Sequence, residues 1–288
     1  MTEAAGPRRV SVVVRLFDPR LSSNRLLIGA FFSVLIGVVA VRVLARADEL
    51  GDALPAAVQA AFSVFLAWAI ARELDPDSPG AANVAAVAGY LILQTGEARL
   101  GGLTAILFAV RIVAGTTGRV PNAFDLAWLP ALAAYSASAP GGVVAGSALA
   151  AALALETARP GVARGRMLAS GFVAAALVVV VGLGQGTLAP DPQAPTPSQW
   201  LIGVGAMAAT AGLVRIRPPV SVGDLSGDRL SPARLARARL LAVAAGTITL
   251  GWLGGAGVPA LVGLWAAVLG VAVNRWLRLA FAGRGTAG

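Results

Sequence analysis

Apolar residues run through this chain in long stretches, with no strand-like alternation and few polar interruptions. Ten stretches stand out, at about residues 26–44, 54–73, 80–96, 101–118, 123–138, 141–158, 167–188, 198–216, 235–253 and 256–277. Apolar runs of roughly 17–25 residues cross the hydrocarbon core of a bilayer as single helices. The pattern therefore predicts an all-α, polytopic transmembrane bundle of about ten spans. The third to sixth stretches are short and separated by tight turns. An eight-span bundle with residues 80–118 as a re-entrant pair of half-helices is the alternative. Residues 1–25 form a basic segment before the bundle, 26–277 the bundle itself, and 278–288 a short tail. The first stretch, with its basic leader, resembles a signal peptide, but its apolar run of about 19 residues is longer than a signal core, so it reads as an uncleaved helix.

Composition agrees with the pattern. Hydrophobic residues make up 57% of the 288 positions and charged residues 13%, against about 25% charged in an ordinary soluble domain. There is too little charge to clothe a soluble surface. The chain has no Cys and no His, and all its basic residues are Arg. That removes disulfides, thiolate chemistry, Cys- or His-held zinc, iron–sulfur clusters and His-ligated haem. The absence of Lys removes a retinal Schiff base. A net charge of +9 invites a nucleic-acid reading, but the arginines flank apolar spans and no soluble domain carries a basic face. No nucleic-acid partner is expected. Exclusive use of Arg with an excess of Ala and Gly suggests a prokaryote with a GC-rich genome.

The arginines also give an orientation. With the N-terminus inside and ten alternating spans, 20 of the 23 arginines fall inside, and only Arg42, Arg46 and Arg99 fall outside. The positive-inside rule then predicts cytoplasmic N- and C-termini in the plasma membrane. Trp200 and Trp252 sit at the outer boundary and Trp276 at the inner one, as an interfacial aromatic belt requires. Contact with the lipid bilayer, and with anionic inner-leaflet lipids along Arg234, Arg237 and Arg239, is expected. In length and topology alone this resembles the architecture of the drug/metabolite transporters; no motif residue carries the likeness.

Helix association in lipid needs close backbone approach through small residues. Three stripes offer it: Gly29, Ser33 and Gly37; Gly142, Gly146, Ala150 and Ala154; and Gly251 with Gly255.

Ionisable groups at membrane depth are costly and need an explanation. Arg111 has apolar neighbours on both sides and calls for a carboxylate partner, with Glu73, Asp125 and Glu156 as the candidates on the same side. Together with Arg72 these make a candidate substrate- or ion-binding cluster; a helix-locking ion pair is the competing account. Asn122 and Asp125 also read as an N-cap and its reciprocal partner, and Glu156 can pair with Arg159 three residues on. Asp75 and Asp77, with Asp224 and Asp228, form a weak divalent-metal candidate. Their spacing does not match the paired acidic motifs of polyprenyl-group transferases. Ser78-Pro79 and Ser231-Pro232 read as helix starts. No phosphate loop, zinc-protease helix or nucleophile elbow is present, and no resident cofactor is expected outside a Mg²⁺-dependent alternative. Three functions follow as expectations. The leading one is a small transporter or permease with a small-molecule substrate. The others are a lipid-modifying enzyme using Asp and Mg²⁺ at the cytoplasmic face, and a non-catalytic partner of another membrane protein.

Overall fold

The computed structural model describes residues 11, 13, 22–158, 163–189, 192–214 and 219–282. Within them the regular structure is helical: α1 (Ser22–Ala40, continued by a π-helical turn Val41–Ala45), α2 (Leu50–Leu74), α3 (Pro79–Leu93), α4 (Leu100–Ala114), α5 (Ala123–Ala137), α6 (Gly142–Leu155), α7 (Arg164–Gly184), α8 (Pro197–Val214), α9 (Pro232–Leu253), α10 (Gly257–Ala260) and α11 (Val262–Ala282). The described residues contain no strands, only the isolated bridges Gln193–Gly254 and Val222–Arg229.

A helix stands in each of the ten apolar stretches, but they are not equivalent. Among the described residues four are long and apolar enough to cross a membrane: Asn24–Ala45, Leu50–Leu74, Arg164–Gly184 and Val262–Phe281. Three more, Pro79–Leu93, Leu100–Ala114 and Gly142–Leu155, are apolar but shorter. A helix of 15 residues, such as α3 or α4, is about 22 Å long at 1.5 Å per residue, short of a hydrocarbon core of about 30 Å. The exposed side chains fit an apolar solvent all the same: Leu44, Phe172 and Leu201 are each more than two-thirds exposed.

Local sequence explains the helix ends. Asn122 caps α5 through its side chain, which accepts from Asp125 N–H at 2.9 Å, and Asp125 accepts in return from Asn122 N–H at 3.1 Å. This is the reciprocal capping box that the sequence suggests. Pro79 occupies the first turn of α3, but Ser78 at its N-cap makes no side-chain cap. Gly115 ends α4 in a left-handed conformation, φ 70°, which glycine adopts without a Cβ penalty.

The centre of the bundle is α4, buried around almost its whole circumference from Gly102 to Ala114. It packs on α2, α5, α6 and α9. On one side α3 lies between α2 and α11; on the other α7 lies against α5 and α6. Contact is made through missing side chains. A Cβ on Gly270 of α11 would lie 2.6 Å from Ala85 N and 2.7 Å from Ala81 O of α3. Gly146 of α6 is set 2.6 Å, measured the same way, from Ala133 O of α5. Gly171 of α7 rides on Ala150 O of α6 at 3.2 Å.

The three small-residue stripes meet different fates. The α6 stripe is used as expected. That of α1 is not: a Cβ on Gly29 or Gly37 would meet nothing within 4 Å, because α1 lies at the edge with only 6% of its apolar window buried. Gly251 is likewise open, whereas Gly255 approaches Pro195, just before α8, and Gln199 in its first turn. The basic segment at Arg8, Arg9, Arg15 and Arg20, the arginines Arg159, Arg215, Arg217 and Arg284, and the linker residues Pro190 and Asp191 lie outside the described residues.

Gly270→Ala is expected to lower stability by about 1–3 kcal/mol, the usual cost of overpacking. Gly37→Ala should leave it unchanged or raise it by up to about 1 kcal/mol through helix propensity. Melting temperatures of the two variants in one detergent check this; equal losses would refute the close approach of α3 and α11.

Candidate functional site

The polar residues singled out in the sequence gather at one end of the bundle. The C-terminal turns of α2, α4 and α6, the N-terminal turns of α5 and α9, and the loop 219–231 all meet there. Residues 11 and 13 reach the same layer.

At its heart is an ion pair. Arg111 in the last turn of α4 donates through Nε to Glu73 Oε1 at 2.8 Å. Glu73, on the last turn of α2, is fully buried, and the Arg111 side chain is 7% exposed. The other carboxylate oxygen of Glu73 accepts from the Thr116 hydroxyl. A second guanidinium nitrogen of Arg111 donates to Val13 O at 3.0 Å, and its charge lies 5.6 Å from the centre of the Phe108 ring, within cation–π range. Of the three carboxylates offered to Arg111 by the sequence, Glu73 is thus the one that closes on it. Arg72, one residue earlier on α2, sits half-buried over the Trp68 ring at 5.8 Å.

Asp125 and Glu156 serve other junctions. Besides its capping role, Asp125 accepts from Trp128 Nε1 at 3.3 Å and from the Ser11 hydroxyl. Glu156 at the end of α6 pairs with Arg234 of α9 at 2.7 Å, and the same guanidinium nitrogen donates to Ile112 O of α4 at 2.8 Å. The expected pairing with Arg159 falls on a residue outside the described set. Arg234 was not singled out as a partner from sequence, although a signal existed. A cation in the first turn opposes the helix dipole, so an Arg there needs a counter-charge.

The four aspartates do not converge. Asp77 holds the start of the long loop, accepting from Val220 N–H at 3.0 Å, Ser221 N–H at 2.8 Å and the Ser221 hydroxyl. Asp75 lies near the buried Arg239, whose Nε donates to Leu74 O at 2.7 Å. Asp224 hangs the loop on the end of α4, donating its N–H to Thr116 O at 3.0 Å, and Leu225 N–H does the same to Thr117 O at 3.0 Å. Asp228 closes the loop on itself, accepting at its carbonyl from Gly223 N–H at 2.8 Å. Among the described residues no three acidic side chains come together as a metal site.

Burial pushes the Asp77 carboxyl up, but the Ser221 hydroxyl, the two backbone N–H groups and the charge of Arg239 outweigh it, and its pKa lies below the ordinary aspartate value.

Beside the ion pair, and separate from it, is an open cleft of about 300 Å³. Its floor is Gly115, Gly118 and Gly223, and its walls carry Glu156, Ser226, Asp228, Arg229, Ser231, Arg234 and Arg237. Neither Arg111 nor Glu73 lines it. Gly118 is left-handed at φ 77°, and a Cβ there would strike the Ser226 side chain.

Among the described residues, fold and site together define an all-helical arrangement with four apolar helices of membrane-crossing length and a polar layer at one end. No family model, curated protein or solved structure matches the chain.

Two outcomes follow. Breaking a buried pair strands a charge, which costs about 3–5 kcal/mol, whereas removing both charges is often nearly neutral. Arg111→Met should therefore lose stability by about that amount. Adding Glu73→Gln, which keeps an acceptor for Thr116, should restore most of it; wild-type stability in R111M alone would refute the lock. The Asp77 stabilisation is fully present above an unfolded aspartate pKa of about 3.9 and fades as pH falls through the lower folded value. Melting curves of wild type and Asp77→Asn should differ at pH 7 and converge in acid; a pH-independent difference would contradict the assignment.

Proposed function

We propose that the chain is a multi-span transporter or permease-like protein of a prokaryotic plasma membrane, with about ten spans, both termini cytoplasmic, and a small-molecule substrate entering from the cytoplasmic side. One observation carries this: an open cleft lined by charged and hydroxyl side chains at one end of a helical bundle whose described residues include four apolar helices of membrane-crossing length. Its site is that cleft. Arg111 and Glu73 brace the helices beside it, and Asp125 and Arg72 support their ends.

The partner-protein reading keeps one supporting observation, the bare face of α1 around Gly29 and Gly37. The Asp and Mg²⁺ enzyme draws no comparable support, since the acceptors of Asp77 already serve Val220 and Ser221.

Because the chain has no Cys, single cysteines report without background. Ser226→Cys should react with an impermeant maleimide only from the cytoplasmic side, and Ser198→Cys only from the outside; reaction of both from one side would refute the topology. In a transporter, labelling at S226C must also change when a transported solute is present. An unchanging rate across a solute panel, with a second membrane protein recovered stoichiometrically, would replace transport with the partner reading.

A further inference from the structure

The two arginines of the cleft that the fold leaves unused point to its ligand. Arg234 is neutralised by Glu156 at 2.7 Å. Arg229 and Arg237 are exposed, line the same cleft, and their side chains make no hydrogen bond or ion pair among the described residues. Against their two positive charges stands one carboxylate, that of Asp228. With the Arg234–Glu156 pair self-compensated, the lining keeps a net charge of +1.

Hydroxyl donors stand beside the charge. Ser226 accepts from Asp228 N–H at 3.2 Å, so its own proton remains available to donate. Ser231, at the opening of α9, makes no side-chain cap to its helix. The three lining glycines are themselves covered, Gly115 by the Arg234 guanidinium and Gly118 and Gly223 by Ser226, so the ligand contacts fall to side chains. A planar guanidinium fork matches the oxygens of phosphate, and charge-assisted bonds of this kind are about twice as strong as neutral ones.

Resting on the transporter reading for the cleft itself, we propose that this cleft is a binding site for a phosphate-bearing anion, held by Arg229 and Arg237 with Ser226 and Ser231. The phosphate is either a lipid headgroup entering from the inner leaflet or a soluble phosphate ester from the cytoplasm. A volume near 300 Å³, at the lower end of ligand pockets, admits a phosphate with a small substituent. The acyl chains of a lipid must then lie outside the cleft.

The test uses the full chain in a neutral detergent, with inorganic phosphate and short-chain phosphatidic acid as probes and chloride at matched ionic strength as control. Phosphate should raise the melting temperature where chloride does not. Arg229→Gln with Arg237→Gln should weaken binding about tenfold for each guanidinium lost, with the unliganded melting temperature unchanged. Phosphatidic acid binding more tightly than phosphate, in competition with it, assigns the headgroup. Equal affinities assign a soluble ester. Failure of both probes to stabilise the wild type, or stabilisation that survives in the double variant, overturns the proposal. Labelling at Ser198→Cys, outside the cleft, keeps this separate from the transport reading. Labelling there that responds to other solutes, while phosphate fails to stabilise the wild type, sinks the ligand class alone. Phosphate binding without any change in labelling there sinks transport alone.

Discussion

The structure turns on one buried charge pair. Arg111 and Glu73 join α4, the central helix, to α2 in surroundings where neither charge is tolerable alone. The constraint spreads outward because each group has more hydrogen-bonding capacity than the pair itself consumes. The second oxygen of Glu73 takes the Thr116 hydroxyl, which fixes the turn after Gly115. A second guanidinium nitrogen of Arg111 donates to Val13 O, which ties residue 13 to the same layer. Thr116 and Thr117 then offer their carbonyls to Asp224 and Leu225, so the long loop is hung from the same turn.

The helices were legible in the sequence because hydropathy alone marks them. Every predicted stretch contains one, and the Asn122–Asp125 cap stands where its spacing put it. What hydropathy does not settle is how many helices cross a membrane, since 14- or 15-residue apolar helices such as α3 and α6 satisfy composition but not length. Nor does a small-residue stripe announce its partner. Gly142 and Gly146 meet α5, whereas Gly29 and Gly37 on an equally regular stripe meet nothing. The stripe is a property of one helix, and contact is a property of two.

The site was legible by residue type and only partly by pairing. The cost of an isolated charge required a carboxylate for Arg111, and Glu73 was among three candidates. Choosing it needs the rotation of α2 relative to α4, and sequence does not encode that locally. The same limit hid Arg234, 78 residues from Glu156. Asp75 and Asp77 look like paired ligands in one dimension. In three dimensions Asp77 is a backbone clamp, a use that any loop carboxylate near free N–H groups can adopt.

Two kinds of arginine therefore share this polar layer. Arg111 and Arg239 are buried, and each has a donor committed to α2, Arg111 to Glu73 and Arg239 to Leu74 O, so a ligand meeting them would compete with a structural bond. Arg229 and Arg237 are exposed over a cleft with only Asp228 to oppose them, so a ligand meeting them displaces water. Arg234 stands between the two groups. It lines the cleft, yet its guanidinium ties Ile112 of α4 to Glu156 of α6. An occupant of the cleft consequently touches the residue that joins α4, α6 and α9. That contact, beside Val113 and Ala114 of α4 in the same lining, is where occupancy can act on the packing of the central helix.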